Sequence, residues 1–264
     1  MTEVVSVHSF RGGTGKSNIT ASLAATLARS GRRVGIIDTD VQSPGIHALF
    51  GLAGGEPGAS LNDFLGGRCA IGEAAVEVGS TLPGTADGRD GTGRIYLVPS
   101  SMDAGAIAQV LREGYDVSLL AEGIRAIGEE LALDTLLIDT HPGLNEETLL
   151  SITLSSAIVV LMRPDRQDFQ GTAVTVEVAR KLGVPRILLV ANKVPGGVDR
   201  GDLAGQVRDS YGTDLVAALP HSDSLMAMGS AGVFCHEAPN DEWSAEVGRI
   251  AGALDGEATR VRAA

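Results

Sequence analysis

The stretch Phe10-Arg11-Gly12-Gly13-Thr14-Gly15-Lys16-Ser17 constrains this chain more than any other, because it joins the apolar run Val4–Val7 to a helical pattern that begins near Ser17. A glycine-rich turn where a strand passes into a helix leaves several backbone N–H groups unpaired and aimed at one point, and that geometry holds a phosphate. Gly12, Gly13 and Gly15 carry no Cβ, so the backbone can approach a ligand closely. Lys16 adds a point charge for the β- and γ-phosphates, and Ser17 offers a hydroxyl to Mg²⁺. The common phosphate-loop spacing places a Gly where this chain has Phe10, so the stretch is the compact form G-G-x-G-K-[ST].

The rest of the chain alternates short apolar runs with helical patterns. Strands are expected at Val4–Ser9, Arg33–Asp38, Ile95–Pro99, Thr135–Asp139, Ala157–Met162, Ile187–Ala191 and Leu215–Leu219. Such continuous runs suit parallel strands covered on both faces. Helices are expected from near Ser17 to Gly31, and at Leu61–Leu65, Ile71–Val78, Asp103–Arg112, Ser118–Leu131, Asp168–Leu182 and Glu242–Leu254. Gly51–Gly58 and Gly79–Gly93 read as loops. This rhythm predicts an α/β fold, a doubly wound and mostly parallel sheet flanked by helices, with residues 1–264 as one domain.

Three carboxylates stand where such sheets bind ligands, at the C-terminal ends of strands. Asp139 ends an apolar strand and fits the group that holds a metal-bound water; without such a role it would be a costly buried charge. Asp38 and Asp40 are two residues apart, so on extended backbone they face the same side. One can support the metal while the other orients an attacking water.

These motifs resemble the deviant-Walker-A ATPases of the ParA/MinD type, over roughly Val4 to Leu254. The resemblance implies that Gly12, Gly13, Thr14, Gly15, Lys16, Ser17 and Asn18 bind ATP, and that Ser17, Asp38 and Asp139 serve Mg²⁺. It makes Asp40 the water-orienting residue, Lys16 its catalytic partner, and Pro44 the end of that switch segment. Thr140-His141-Pro142-Gly143 corresponds to a second switch, in which the Gly143 amide meets the γ-phosphate; packing is the expected role of His141. Asn192 would pair with adenine, and the loop around Pro220 would enclose the base. Arg11 takes the place of the family's signature lysine, which reaches across an ATP-sandwiched homodimer to the partner's phosphates. A guanidinium can contact two phosphate oxygens, so the trans role can survive the change.

Composition narrows the function classes. The formal charge of −12 opposes nonspecific DNA binding by the whole surface. A local strip at Arg180, Lys181 and Arg186 leaves DNA open, with a solvated helix end as the plainer reading. Cys69 and Cys235 form no CxxC, which argues for a reducing compartment and against an intrachain zinc or iron–sulfur site. No secretory leader and no membrane-spanning run are expected. On the helix Glu242–Leu254, Trp243, Val247, Ile250 and Leu254 share one face, opposite Glu242 and Glu246, so core packing is expected rather than membrane binding.

The expectation is a cytoplasmic, ATP-dependent dimerisation switch that slowly hydrolyses ATP and positions a cargo or assembly through an activating partner or cargo adaptor. Two other classes stay open: a nucleotide-binding scaffold without hydrolysis, and a biosynthetic ATP-dependent enzyme of the amidoligase or synthetase kind.

Overall fold

A computed structural model describes residues 1–52, 58–79 and 93–256. Among the described residues eight strands form one sheet: β1 (Glu3–His8), β2 (Arg33–Asp38), β3 (Val76–Glu77), β4 (Arg94–Val98), β5 (Thr135–Asp139), β6 (Ala157–Met162), β7 (Arg186–Val194) and β8 (Leu215–Pro220). Their order is β3-β4-β2-β5-β1-β6-β7-β8, and every pairing is parallel except β3 on β4. The expected doubly wound sheet is therefore present, with an antiparallel edge.

Both faces of the central strands are apolar because successive side chains supply opposite layers. Val5, Val7, Ile36 and Leu137 pack with Ile19, Leu23 and Leu27 of α1 (Lys16–Arg29) and with the last helix, α11 (Glu242–Leu254). Trp243, Val247, Ile250 and Leu254 lie in that same core, as the sequence pattern requires. On the other face, Ile37, Leu136 and Ile138 meet Leu61 and Leu65 of α3 (Leu61–Leu65) and Leu120, Ile124 and Ile127 of α5 (Val117–Glu130). Farther along that face, Ile158, Val160 and Leu189 pack with Ile152 of α6 (Glu146–Leu154), Val176 of α7 (Arg166–Lys181) and Val207 of α8 (Arg200–Tyr211).

Five helices lie outside those expected: α2 (Ile46–Leu49), α6, α8, α9 (Asp223–Met228) and α10 (Phe234–Glu237). All but α6 and α8 are a turn or two long, too short for a period of 3.6 residues to show. The start of α6 is nevertheless written locally: Asn145 caps it by accepting from Thr148 N–H, and Glu146 and Glu147 occupy its first turn. Ile71–Val78 departs from its expected helix. It makes one 3₁₀ turn at Ile71–Ala74, and Val76 and Glu77 then pair with Leu97 and Tyr96 of β4. Of the two expected loops, residues 53–57 and 80–92 lie outside the described residues.

All three residues of the basic strip have partners within the chain. Lys181 pairs with Glu177, Arg180 reaches the Tyr211 carbonyl, and Arg186 joins Glu3 and the Leu254 carbonyl. Among the described residues no helix is long and apolar enough to cross a membrane.

Candidate functional site

The first strand ends at His8, and the chain turns through Ser9–Gly15 into α1. Gly13 and Gly15 have φ of 76° and 95°, the left-handed region that glycine enters without steric cost. At Gly15 a second constraint acts, because a Cβ there would lie 2.6 Å from Asn192 Nδ2. Gly15 caps the helix without a side chain. The N–H groups of the first turn are thus left toward the cradle, where an anion meets the positive end of the helix dipole.

Around this cradle the sheet gathers charge. Asp38 and Asp139 are register partners on β2 and β5, and Val7 of β1 is the neighbour of Asp139 on its other side. Both carboxylates are fully buried. Asp38 accepts from the Asp40 N–H at 3.0 Å through Oδ1, whereas its Oδ2 is buried with no hydrogen-bond partner. Asp139 accepts from the Thr20 hydroxyl at 3.2 Å and from the Ser17 side chain. Burial raises the pKa of Asp38 well above the usual carboxylate range, and the neighbouring Asp139 adds to the rise. Burial also pushes Asp139 up to about 6, against the pull of Ser17, Lys16 and Thr20.

Lys16 is buried at the foot of α1, with Nζ 3.4 Å from the Ser9 hydroxyl. Burial lowers its pKa, while Asp139, Asp40 and Asp38 oppose that change. Two desolvated carboxylates, a desolvated ammonium and an orphaned acceptor describe a place arranged for ions. Ser17, Asp38 and Asp139 offer only hard oxygen donors, which suits Mg²⁺ sharing its sphere with phosphate oxygens and waters. The buried, unpaired Asp38 Oδ2 is the atom that such a cation, or its water, would satisfy.

Asp40 lies at the rim, its Oδ1 accepting from Ser43 N–H at 3.0 Å. His141 approaches from beyond β5, with Nε2 3.9 Å from that same oxygen. Gly143, with φ 86°, donates its amide to the Ser9 carbonyl at 3.2 Å, so in this state that amide is engaged within the protein.

Asn192 ends in a network of its own. Its Nδ2 donates to the Thr14 carbonyl at 2.8 Å; its Oδ1 accepts from Lys193 N–H at 2.8 Å and from Trp243 Nε1 at 3.2 Å. The side chain expected to read the base also ties β7 and α11 to the glycine-rich loop. Lys193, at φ 58°, adds a second tie through Nζ to the Gly13 carbonyl at 2.8 Å. Beside them lies a pocket of about 200 Å³ lined by Gly15, Asn18, Asn192, Pro220, Met226 and Trp243, among others. Its place next to the loop and the half-exposed ring of Pro220 suit an aromatic base.

Arg11 points back onto its own chain. Its guanidinium donates to Gln167 and lies 3.8 Å from Asp168 Oδ1, a buried oxygen with no hydrogen bond. Phe10 covers Gly171 one turn farther along α7, so closely that a Cβ at 171 would overlap the ring. Gln167, Asp168, Thr20 and Trp243 were not expected as members of this region. Only Thr20 carried a local signal, one helical turn after Lys16 on the same face.

His8 is the other unexpected member. It is fully buried, with Nδ1 2.8 Å from the Thr140 hydroxyl and Nε2 unpaired. Burial, and after it the charges of Lys16 and His141, press its pKa down to about 3.

With this geometry in hand, known proteins are informative. Residues 1–70 match the ParA family model described as a NUBPL iron-transfer P-loop NTPase. An ATP-binding protein of Methanocaldococcus jannaschii is 27% identical over 86% of this chain and 85% of its own length. An iron–sulfur cluster carrier protein of Methanococcus maripaludis is 32% identical over 71% of this chain and 59% of its own length. Among solved structures, the septum site-determining protein MinD of Pyrococcus horikoshii, complexed with Mg-ADP, superposes with a TM-score of 0.78 at 21% identity. That superposition covers 97% of this chain and 96% of the other, and it establishes a shared fold.

Proposed function

Starting from a chain that is a P-loop NTPase of the ParA/MinD type, we propose that it is an ATP-dependent dimerisation switch, one nucleotide domain over residues 1–264, that slowly hydrolyses ATP in the cytoplasm to position a cargo or assembly. The observation that carries this reading is the meeting of Lys16, Asp38, Asp139 and Asp40 at the mouth of the glycine-rich loop. ATP is the substrate that these residues suit. Its phosphates would lie over Gly12, Gly13, Thr14, Gly15, Lys16 and Ser17, with Asn18 and Pro220 toward the base. Ser17, Asp38 and Asp139 would hold Mg²⁺, which when bound neutralises charge on the phosphate oxygens.

In this mechanism Lys16 places its ammonium on the β/γ-phosphates, and its burial strengthens the attraction. Asp40, fixed by the Ser43 N–H, orients the attacking water. Arg11 is the residue proposed to act on the partner's phosphates. The Arg11 side chain is 40% exposed and only 3.8 Å from the buried Asp168, which Arg163 also holds at 3.1 Å, so Arg11 can exchange this contact for two phosphate oxygens. The cis contact and the trans contact then exclude each other, which makes dimerisation a choice between two positions of one side chain. An activating protein would act on this dimer. The likeness to MinD supports the positioning role.

A second reading, delivery of an iron–sulfur cluster, draws on the likeness to the carrier of Methanococcus maripaludis. Cys69 and Cys235 are the only cysteines, and the buried Cys235 is poorly placed to hold a cluster exchanged with a partner. The switch is therefore preferred. Phosphate release from Mg·ATP tests it: wild type should turn over slowly, and Asp40→Ala should lose activity by about 100-fold while still binding ATP. Equal rates in the two proteins would remove Asp40 from the chemistry.

A further inference from the structure

His141 is held for a task that packing does not need. Its side chain is 24% exposed, and the Thr148 hydroxyl donates to its carbonyl at 3.4 Å. Nδ1 lies 2.7 Å from the Pro142 carbonyl oxygen. That oxygen can only accept, so Nδ1 carries the hydrogen; the neutral imidazole then presents a bare lone pair at Nε2. This lone pair faces Asp40 Oδ1 across 3.9 Å, too far for a direct hydrogen bond and between two atoms that both accept. What joins two acceptors at that separation is a molecule with two hydrogens. With hydrogen bonds of about 2.8 Å, the 3.9 Å gap subtends about 90° at a water oxygen, close to the angle between water's own O–H bonds.

We propose that Asp40 Oδ1 and His141 Nε2 together hold the attacking water, one hydrogen each, making His141 a second catalytic residue of the hydrolytic site. The inference rests on the ATPase reading and deepens it. With both hydrogens turned toward Asp40 and His141, the free lone pairs of the oxygen point away from them and are left for the phosphorus. In the step itself the water oxygen bonds to the γ-phosphorus and the bond from phosphorus to the β,γ-bridging oxygen breaks. ADP leaves with that electron pair. The proton lost from the water passes to the Asp40 carboxylate, and the phosphate product takes the oxygen. Ser43 N–H prevents Oδ1 from turning away, and Pro142 fixes the ring in the tautomer required. A single carboxylate would leave the water free to rotate about one hydrogen bond; two acceptors remove that freedom before the reaction, where orientation counts most.

The test is steady-state phosphate release on the full chain, with nucleotide affinity measured on the same samples using a fluorescent ATP analogue. His141→Ala should lower kcat by about tenfold or more with affinity within about twofold, because the contact is made to the water and not to the nucleotide. His141→Gln, whose amide oxygen restores an acceptor, should recover part of the loss. Asp40→Ala combined with His141→Ala should be little slower than Asp40→Ala, since both act on one water. A kcat within twofold of wild type in His141→Ala, a loss confined to KM, or a fully additive double variant would overturn the proposal. If His141→Ala fails to fold, His141→Gln and His141→Leu carry the comparison: equal rates in these two would also overturn it. A wild-type protein that binds ATP and releases no phosphate would instead remove the ATPase reading beneath it.

Discussion

The two ends of the nucleotide cleft are built on opposite principles. At the phosphate end, Asp38 Oδ2 and Thr14 Oγ1 are buried without partners, Lys16 is desolvated, and two carboxylates sit side by side on adjacent strands. At the base end Asn192 satisfies three partners, and the pocket wall from Pro220 to Met226 is in ordinary contact with solvent. The first end holds electrostatic tension that a charged ligand relieves; the second offers a formed shape that a neutral ring fills. Ligand affinity should therefore reside in a few charges at one end, and the stability of the ligand-free chain in the network at the other.

Lys16→Ala tests the first half of that contrast and carries the largest expected effect. Removing the charge that faces the phosphates should weaken Mg·ATP binding by about 100-fold or more in titration calorimetry, with unfolding little changed or shifted upward, because a desolvated ammonium is lost. Asn192→Ala should divide its cost. Two buried partners, the Thr14 carbonyl and Trp243 Nε1, and the part-buried Lys193 N–H lose their hydrogen bonds, so the urea midpoint should fall by the equivalent of about 2–4 kcal/mol, and nucleotide affinity by about tenfold as the Thr14 carbonyl comes loose. If Asn192→Ala weakened binding with no loss of stability, base contact alone would account for Asn192, and the contrast between the ends would blur.

A pH experiment sharpens the same comparison at the floor of the phosphate end. His8 has its pKa depressed to about 3, below the value of an unfolded histidine, so the unfolded chain binds the extra proton. The stability that neutral His8 supplies is complete above pH 6.5 and declines as the pH falls toward 3. Relative to His8→Gln, wild type should lose about 2 kcal/mol between pH 7 and pH 5 in urea unfolding. Parallel pH curves for the two proteins would place the His8 ring in contact with water. Smallest of all, Arg11→Ala should leave ADP binding to the protomer within about twofold while slowing phosphate release, since the Arg11 side chain lies largely in solvent and Asp168 keeps Arg163 as its partner.

How much of this was written in the sequence depends on the range of the contact. The cradle was legible because strand, glycine turn, Lys16 and Ser17 are contiguous, and Asp38 and Asp139 because each ends an apolar run. Helix α11 was legible to the residue, since Trp243, Val247, Ile250 and Leu254 repeat at helical spacing. The partners that give these residues their environment were not. Asn192 meets Thr14 across 178 positions, and Arg11 meets Gln167 across 156, and no local pattern marks such pairs. Nothing local to His141 points to Asp40, because the two meet only where the segments after β5 and β2 come together. Helix α6 was missed for a different reason: its cap is clear, but Thr148, Ile152 and Thr153 blur a nine-residue period with β-branched side chains.

The central claim is that ATP, and not ADP, joins two copies of this chain through the phosphate end. Light scattering coupled to size exclusion, on wild type and Asp40→Ala with ADP and with Mg·ATP, tests it directly. A protomer mass is expected in ADP for both, a dimer mass in Mg·ATP, and a longer-lived dimer in Asp40→Ala. An unchanged mass in both nucleotides, with ATP bound, would contradict it and leave Arg11 fixed on Asp168 in a protein that holds nucleotide without switching.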